Sequence, residues 1–180
     1  ITGITAMSAG SSHTCAVLAE GKIKCWGSAF EGQLGANVDI NDLPNVGFGL
    51  LPLDVVSGRG STSLFTGAVA VSAGSSFTCA VRSTGTAACW GLTVGTGGMG
   101  AYITAPVSVV GVTQAVAVSA GSNFACALLS YGGVNCWGEG GRGQLGNSST
   151  NNSGNPVAIT GVVAQTISFG ALTGKSLGDA

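Results

Sequence analysis

The chain of 180 residues carries seven acidic and six basic side chains, so charged residues make up only 7%, where about 25% is usual. A net charge of −1 provides no electrostatic footprint for nucleic acid or for an acidic membrane surface. Small polar residues and 32 glycines interrupt every apolar run before the roughly 18 residues that a membrane-spanning helix needs, and they disfavour long helices. Because 45% of the residues are hydrophobic, disorder is also disfavoured, and the composition predicts a compact, glycine-rich, β-rich protein.

An internal repeat organises the chain. Three stretches align without gaps, each opening on Ser-Ala-Gly, and they begin 64 and 47 residues apart at Ser8, Ser72 and Ser119. A Gly-Gln-Leu-Gly motif follows in the first and third units, and weakly in the second, at 32–35, 143–146 and 97–100. Each unit then has a proline that opens an apolar strand: Pro52, Pro106 and Pro156. Periods of this length are typical of propeller blades or solenoid coils.

Each unit contains a predicted β-hairpin. In the first unit, residues 15–18 and 22–25 form the two strands, and the loop between them ends on glycine. Glycine at this third loop position suits the left-handed conformation of a type I turn with a bulge. The same offset recurs at Gly21, Gly85 and Gly132. The resulting register places the two cysteines of each unit opposite one another, as the pairs Cys15 and Cys25, Cys79 and Cys89, and Cys126 and Cys136.

The six cysteines allow fifteen pairings, and the repeat favours pairing within each unit. Opposed residues in a non-hydrogen-bonded antiparallel site have Cα atoms about 4.5 Å apart, within reach of a disulfide. Six reduced, buried thiols are the main alternative, and zinc is a weaker one because the chain has a single histidine, His13. Disulfides indicate an oxidising compartment, so we expect an extracellular or cell-surface location.

These motifs resemble the repeats of the regulator of chromosome condensation family, in its microbial paired-cysteine variant. The shared pattern runs from Ser-Ala-Gly through a Cys-Ala strand, a glycine turn and Cys-Trp-Gly to Gly-Gln-Leu-Gly and a proline-led strand. The resemblance implies a β-propeller with one four-stranded blade per repeat. Propellers of the family typically have seven blades, whereas this chain holds about three and a partial fourth.

The repeat boundaries predict a single array. We expect blades at 1–57, 58–110 and 111–162, with a partial repeat or closing strands at 163–180. Because the chain begins at Ile1 inside a repeat, we expect a processed chain or part of a longer one.

The repeated residues have a structural interpretation. We expect three tryptophans to fill the space between blades rather than to bind a ligand: Trp26, Trp90 and Trp137. The motif glycines are expected in tight turns and close strand approaches rather than in nucleotide loops. His13 occupies the position held by Phe77 and Phe124, which favours a packing role over that of a catalytic base.

Unit one departs most from the repeat. The insertion between Gly35 and Pro52 carries apolar residues that predict either a contact surface or a loop folded back on its own blade: Val46, Phe48, Leu50 and Leu51. A second insertion spans 59–67. Asp39, Asn41 and Asp42, with Asp54 further along, are a weak calcium candidate, because the twelve-residue loop with its central glycine is absent. We therefore predict neither a metal nor a cofactor.

A polar loop in unit three matches the N-glycosylation pattern at Asn147 and Asn151, which is weak support for a surface protein.

The sequence favours a non-catalytic extracellular or surface structural and interaction protein that self-assembles head to tail into a fibre or oligomer. Two alternatives stay open: a secreted binding module or enzyme inhibitor that uses one propeller face, and an exchange-factor-like regulator of a small GTPase. The expected partners are proteins or copies of the chain, with no nucleic acid, membrane insertion or small-molecule substrate.

Overall fold

The computed structural model describes residues 1–38, 43, 47–92 and 102–160. These residues form twelve β-strands in three four-stranded antiparallel sheets, with no helix among them. The described part of the chain accordingly has no helix of the length and apolarity that crossing a membrane requires. The predicted all-β repeat array is confirmed.

Each sheet is one blade, with its strands in chain order. Blade 1 contains β1 (Ile4–Ala9), β2 (His13–Leu18), β3 (Ile23–Ser28) and β4 (Phe48–Asp54). Blade 2 contains β5 (Ala68–Ala73), β6 (Phe77–Arg82), β7 (Ala87–Leu92) and β8 (Tyr102–Ser108). Blade 3 contains β9 (Ala115–Ala120), β10 (Phe124–Leu129), β11 (Val134–Gly138) and β12 (Ser153–Ala158). The first strands of successive blades contact one another, because β5 lies against both β1 and β9.

The central hairpin of every blade turns as the glycine offset predicts. Gly21 has φ +73° and donates its N–H to the Leu18 carbonyl at 2.8 Å. Gly85 and Gly132 adopt the same left-handed conformation, with φ of +80° and +87°. This turn sets the register in which Cys15 lies opposite Cys25.

All six cysteines form disulfides within their own hairpins. The bridged residues are ten positions apart, with Cα separations of 4.1, 4.1 and 4.0 Å in blades 1, 2 and 3. The predicted hairpin disulfide is therefore present in every blade.

The side chains of each sheet alternate between two faces, and both faces are used. We call the face toward the next blade the trailing face and the opposite one the leading face. Blade 3 packs against the trailing face of blade 2, which carries Phe77, Cys79, Val81, Ala87 and Cys89. Blade 1 packs against the leading face of blade 2, which carries Ala80, Ala88 and Trp90. Two interblade cores result, and blade 2 is buried on both sides.

The second insertion, 59–67, contributes to the first of these cores instead of forming only a surface loop. Phe65 is fully buried, with its ring centroid 6.1 Å from that of Trp90. Its backbone N–H donates to the Val55 carbonyl at 2.9 Å, and the Arg82 guanidinium lies 3.7 Å above its ring. The insertion thus fills the space between blades 1 and 2.

We predict that a mild reductant attacks the Cys126–Cys136 disulfide before the other two. Cys126 is half-buried on the trailing face of blade 3, whereas the cysteines of blades 1 and 2 are at most 2% exposed. Thiol–disulfide exchange requires access to a sulfur atom, so the exposed bridge reacts first. Alkylation of the dilute protein during reduction, followed by peptide mass mapping, measures the order. Simultaneous labelling of all three pairs would contradict it.

Candidate functional site

The joint between blades 1 and 2 is built around one backbone carbonyl, that of Gln33. Gln33 is fully buried, and its carbonyl accepts the indole N–H of Trp90 at 2.8 Å and the hydroxyl of Thr78 at 3.0 Å. Its side chain is held locally, because Oε1 accepts the Glu31 N–H at 2.9 Å and Nε2 donates to Ser28 Oγ at 3.2 Å. The Gly-Gln-Leu-Gly motif therefore presents an oriented acceptor to the next blade.

The glycines of this motif make room for the next blade. A Cβ on Gly35 would lie 2.6 Å from Nε1 of Trp90, and one on Gly32 would lie 2.7 Å from the Ile103 carbonyl oxygen. Both glycines also have positive φ, +66° and +78°. A side chain at either position would therefore be strained and would push the blades apart.

The Ser-Ala-Gly motif forms the inner part of the same joint. Ser8 Oγ accepts the backbone N–H of Ala73 at 3.0 Å, and Ser72 Oγ accepts that of Ala120 at 2.9 Å. A Cβ on Gly74 would approach the Gly121 carbonyl oxygen to 2.6 Å. The expected close approach of strands is thus an approach of one blade to the next.

Blade 3 has an open trailing face. Leu128 is 42% exposed, whereas Val17 and Val81, at the same position in blades 1 and 2, are at most 1% exposed. Phe124 and Cys126 are half-buried, although their counterparts in blade 2, Phe77 and Cys79, are at most 1% exposed. Blade 3 therefore presents to solvent part of the surface that the other two blades bury, although Cys136 and Leu145 on it are at most 1% exposed.

Blade 1 has a matching open leading face. Met7 is 64% exposed, and its counterpart Val71 in blade 2 is 9% exposed. Trp26 is half-buried, whereas Trp90 and Trp137 are at most 1% exposed. Two of the three tryptophans thus lie between blades as expected, and Trp26 lies on an uncovered face.

A separate apolar patch lies on the outer strand of blade 1. Phe48, Leu50 and Leu51 are 44%, 64% and 75% exposed, and they belong to β4 rather than to a loop. The Phe48 ring packs edge-on against Phe30 at 5.2 Å, so part of the insertion folds back on its own blade. The fourth predicted residue, Val46, lies outside the described residues, as do Asp39, Asn41 and Asp42.

The ionisable residues are dispersed. No group of three or more His, Cys, Asp or Glu side chains that could hold a metal occurs in the described ranges. Asp54 pairs with Lys24 at 2.7 Å on neighbouring strands of blade 1.

The asparagines of the predicted glycosylation pattern differ in access. Asn151 is exposed, whereas the side-chain Oδ1 of Asn147 is buried and has no hydrogen-bond partner among the described residues.

His13 lies at the joint rather than in a catalytic group. It is 3% exposed, and its Nε2 lies 2.8 Å from Thr78 Oγ1. Because that hydroxyl donates to the Gln33 carbonyl, Nε2 carries the imidazole proton, and Nδ1 is left buried without a partner among the described residues. Burial lowers the pKa of His13 to about 4, against a smaller opposing effect of Glu31.

The repeat also identifies the chain in comparison with known proteins. The sequence profile of the Regulator of chromosome condensation (RCC1) repeat matches residues 4–33, 68–93 and 115–144. The chain thus contains three matches to the RCC1 repeat, one in each blade. Each RCC1 match covers the first three strands of one blade and ends at or before the Gly-Gln-Leu-Gly position, so the fourth strands lie beyond the matched residues.

Solved structures, among them yeast RCC1, share this fold. Yeast RCC1 (Prp20), crystallised with Kap60, superposes with a TM-score of 0.72 at 18% identity, over 89% of this chain and 37% of that one. Prp20p from Saccharomyces cerevisiae, whose structure was described with its binding to Gsp1p and histones, gives 0.70 at 17% identity, over 89% and 39%. Human WBSCR16 gives 0.70 at 18% identity, over 87% and 39%. The chain thus spans about two fifths of the length of these proteins. A comparison with curated proteins found no match.

Sequence reasoning missed several residues of the RCC1 joint. Thr78 was not singled out, and Ser8 and Ser72 were identified only as the starts of repeats, because each looks like an ordinary polar strand residue. The recurrence of serine at the start of every repeat was the available signal.

We predict that His13→Phe reduces the loss of stability on acidification. With a folded pKa of about 4 against 6.5, the unfolded chain binds more protons between these values, so stability falls as the pH drops from 7 to 4. A shift of this size corresponds to about 3 kcal/mol at one site. Urea unfolding of wild type and variant at pH 7 and pH 4 measures the difference. Equal losses in both proteins would show that His13 does not titrate in this way.

Proposed function

We propose that the chain is a non-catalytic structural and interaction module that works outside the reducing cytosol, at the cell surface or extracellularly, and self-associates through its open blade faces. A propeller of RCC1 repeats is a scaffold for protein interaction. Yeast RCC1 was crystallised with Kap60, and its structure was also described with its binding to Gsp1p and histones. We extend to this chain only the general use of the propeller as a protein-binding surface.

The observation that carries the proposal is the exposure of apolar interblade residues on blades 1 and 3. Leu128 on blade 3 and Met7 on blade 1 are 42% and 64% exposed, although their counterparts are buried. Exposed apolar surface is a common feature of interaction sites. The chain contains few charged residues to oppose association with a like copy.

The disulfides support a location outside the reducing cytosol. All six cysteines are bridged, and none is free. Such bridges persist in oxidising environments and are rare in the cytosol of mesophiles.

A secreted binding module or inhibitor is the second candidate. The patch of Phe48, Leu50 and Leu51 on the outer strand of blade 1 favours it, because an exposed apolar edge strand can pair with a partner. A concentration-independent monomer that binds a partner through this patch would decide for this candidate.

An exchange-factor-like regulator of a small GTPase is the third candidate. Its support is the fold shared with yeast RCC1, and the disulfides argue against a cytosolic role. Titration of six free thiols in the native protein would favour this third candidate.

We predict that the oxidised protein forms particles larger than the 17.4 kDa chain, with a mass that rises with concentration. Sedimentation velocity over a hundredfold concentration range measures this, with thiol titration of the same samples. A monomer at every concentration would overturn self-association, and six reactive thiols would overturn the oxidising compartment.

We also predict that a eukaryotic secretory host glycosylates Asn151 in preference to Asn147, because Asn151 is exposed whereas Asn147 is half-buried with its Oδ1 buried. Intact mass before and after glycosidase treatment measures occupancy, with Asn151→Gln as the control. A glycan that remains on the Asn151→Gln protein would place the acceptor elsewhere.

A further inference from the structure

The end of each blade at which the central hairpin turns has the same backbone arrangement in all three blades. There, a hairpin N–H donates at 2.7 to 2.8 Å to the carbonyl of the residue that precedes the first strand, in the pairs Ala19 and Gly3, Ser83 and Gly67, and Ser130 and Gln114. Because the fold is built here in the same way three times, a residue type that only one blade carries is not needed to build it. Blade 3 carries two such residues, Gln114 and Tyr131.

Gln114 occupies a position that favours glycine. It has φ +61°, and the equivalent residues Gly3 and Gly67 both have φ +73°. The left-handed conformation is unfavourable for a residue with a Cβ, and strain of this kind is concentrated at functional sites. The Gln114 side chain is exposed and makes no hydrogen bond to any other described residue. No side-chain hydrogen bond in the described part of the chain therefore offsets this strain.

Tyr131 is the second residue that sets blade 3 apart. It is 71% exposed, and its ring lies against Gly133, where an added Cβ would collide with the ring. Blades 1 and 2 have Lys22 and Thr86 at the position of that glycine. The ring is thus held against the turn and leaves most of its surface to solvent.

The exposure of Tyr131 does not depend on an uncovered blade face. The equivalent residues are Glu20 in blade 1 and Thr84 in blade 2, and both are exposed although another blade covers the trailing face of each. Gln114 lies at the joint between blades 2 and 3, where a Cβ on Gly85 would come within 2.8 Å of its Cα. Both residues therefore belong to a surface that stays open within the array.

Gln114 and Tyr131 lie side by side on this surface. The Ser130 N–H donates to the Gln114 carbonyl at 2.8 Å, and Tyr131 follows Ser130 directly. On the side of blade 2, the hydroxyls of Thr84 and Thr86 lie 3.0 Å apart and are exposed. We call these five exposed residues the hairpin patch: Thr84, Thr86, Gln114, Ser130 and Tyr131.

The hairpin patch carries no charge. Residues 83–138 contain no acidic or basic side chain and no histidine. Arg82, which precedes this stretch, is already engaged, because its guanidinium lies 3.7 Å above the Phe65 ring and donates to the Thr66 carbonyl at 2.7 Å. The patch thus offers neither a cation for an anionic ligand nor a carboxylate for a cationic one.

An exposed aromatic ring beside an amide and several hydroxyls suits a neutral sugar. A pyranose with equatorial hydroxyls has flat apolar C–H faces that stack on an aromatic ring, and its hydroxyls pair with amides and hydroxyls at the rim. The core of a protein interface is more apolar than this, whereas the patch residues around Tyr131 are all polar.

From this composition we propose that the hairpin patch binds a neutral oligosaccharide of β-1,4-linked, gluco-configured pyranoses. Tyr131 is the platform on which one sugar ring stacks, and Gln114 hydrogen-bonds to its hydroxyls. The strained conformation of Gln114 and the small residue at Gly133 are then explained by the ligand rather than by the fold. The site adds a ligand to the proposed interaction module, and it does not depend on association between chains.

Depletion of the full-length protein from solution by cellulose and by chitin tests the site, with soluble cellohexaose and chitohexaose as competitors. We expect wild type to bind at least one of the two polymers and the matching hexasaccharide to release it. Tyr131→Ala should weaken binding about tenfold, as expected for the loss of one stacking contact. Tyr131→Phe keeps the ring and should bind like wild type. Tyr102→Ala removes a tyrosine that is 63% exposed on the outer strand of blade 2, and this matched control should also bind like wild type.

Gln114→Gly separates a role in binding from a role in folding. Glycine suits the left-handed conformation, so the variant should unfold at a temperature no lower than that of wild type. Loss of the amide should weaken sugar binding by up to about tenfold, as expected for one hydrogen bond. Thermal unfolding and the depletion isotherm measured on the same samples provide both values. Unchanged binding would overturn the assignment of Gln114 to the site.

Three results would overturn the sugar site as a whole. The first is that wild type binds neither polymer. The second is that Tyr131→Ala and Tyr102→Ala weaken binding equally, because the effect would then not be specific to the hairpin patch. The third is that neither sugar binds and Tyr131→Ala instead lowers the mass of the particles formed by the protein, because a second copy would then occupy the patch. Self-association is measured separately by sedimentation, so it can fail while the sugar site stands.

Discussion

Every blade of this array has two apolar faces, and burial of both faces governs how the blades are arranged. A four-stranded sheet whose side chains on both sides are apolar must cover both, and only neighbouring blades can do so. Blade 2 satisfies this requirement within the chain, and it has the most uniformly buried hairpin. Blades 1 and 3 each satisfy it on one side, and the exposed faces at the two ends follow directly from this geometry.

The contact between blades is specified by polar groups as much as by apolar area. Apolar stacking alone permits sliding between two sheets, whereas the Gln33 carbonyl accepts its two donors in one register only. The serines of the Ser-Ala-Gly motifs fix the register of the inner strands in the same way, because each hydroxyl accepts a backbone N–H from the next blade. The hairpin disulfides act within each blade rather than between blades, so they stabilise the unit and leave the order of units to the joint.

The two joints between blades differ in the residues that occupy equivalent positions. His13 stands where the other blades have phenylalanine, and it hydrogen-bonds to Thr78 across the first joint. At the second joint Ala125 replaces that threonine, and Trp137 Nε1 is buried without a partner among the described residues. Among the described residues, the polar contacts of the joint are therefore most complete between blades 1 and 2.

Local sequence was enough to specify the blade, since strand alternation, the glycine turn and the ten-residue cysteine spacing act within about twenty residues. The recurrence of that pattern also specified the number of repeats, and the resemblance of its motifs to a known repeat family implied the propeller fold. Long-range packing was needed to settle which side of each strand faces which neighbour, that 59–67 fills a core, and that Phe48, Leu50 and Leu51 belong to an edge strand. This is because a joint is made by residues 45 to 65 positions apart, such as Gln33 with Thr78 and Ser8 with Ala73, and no local pattern records such a pairing.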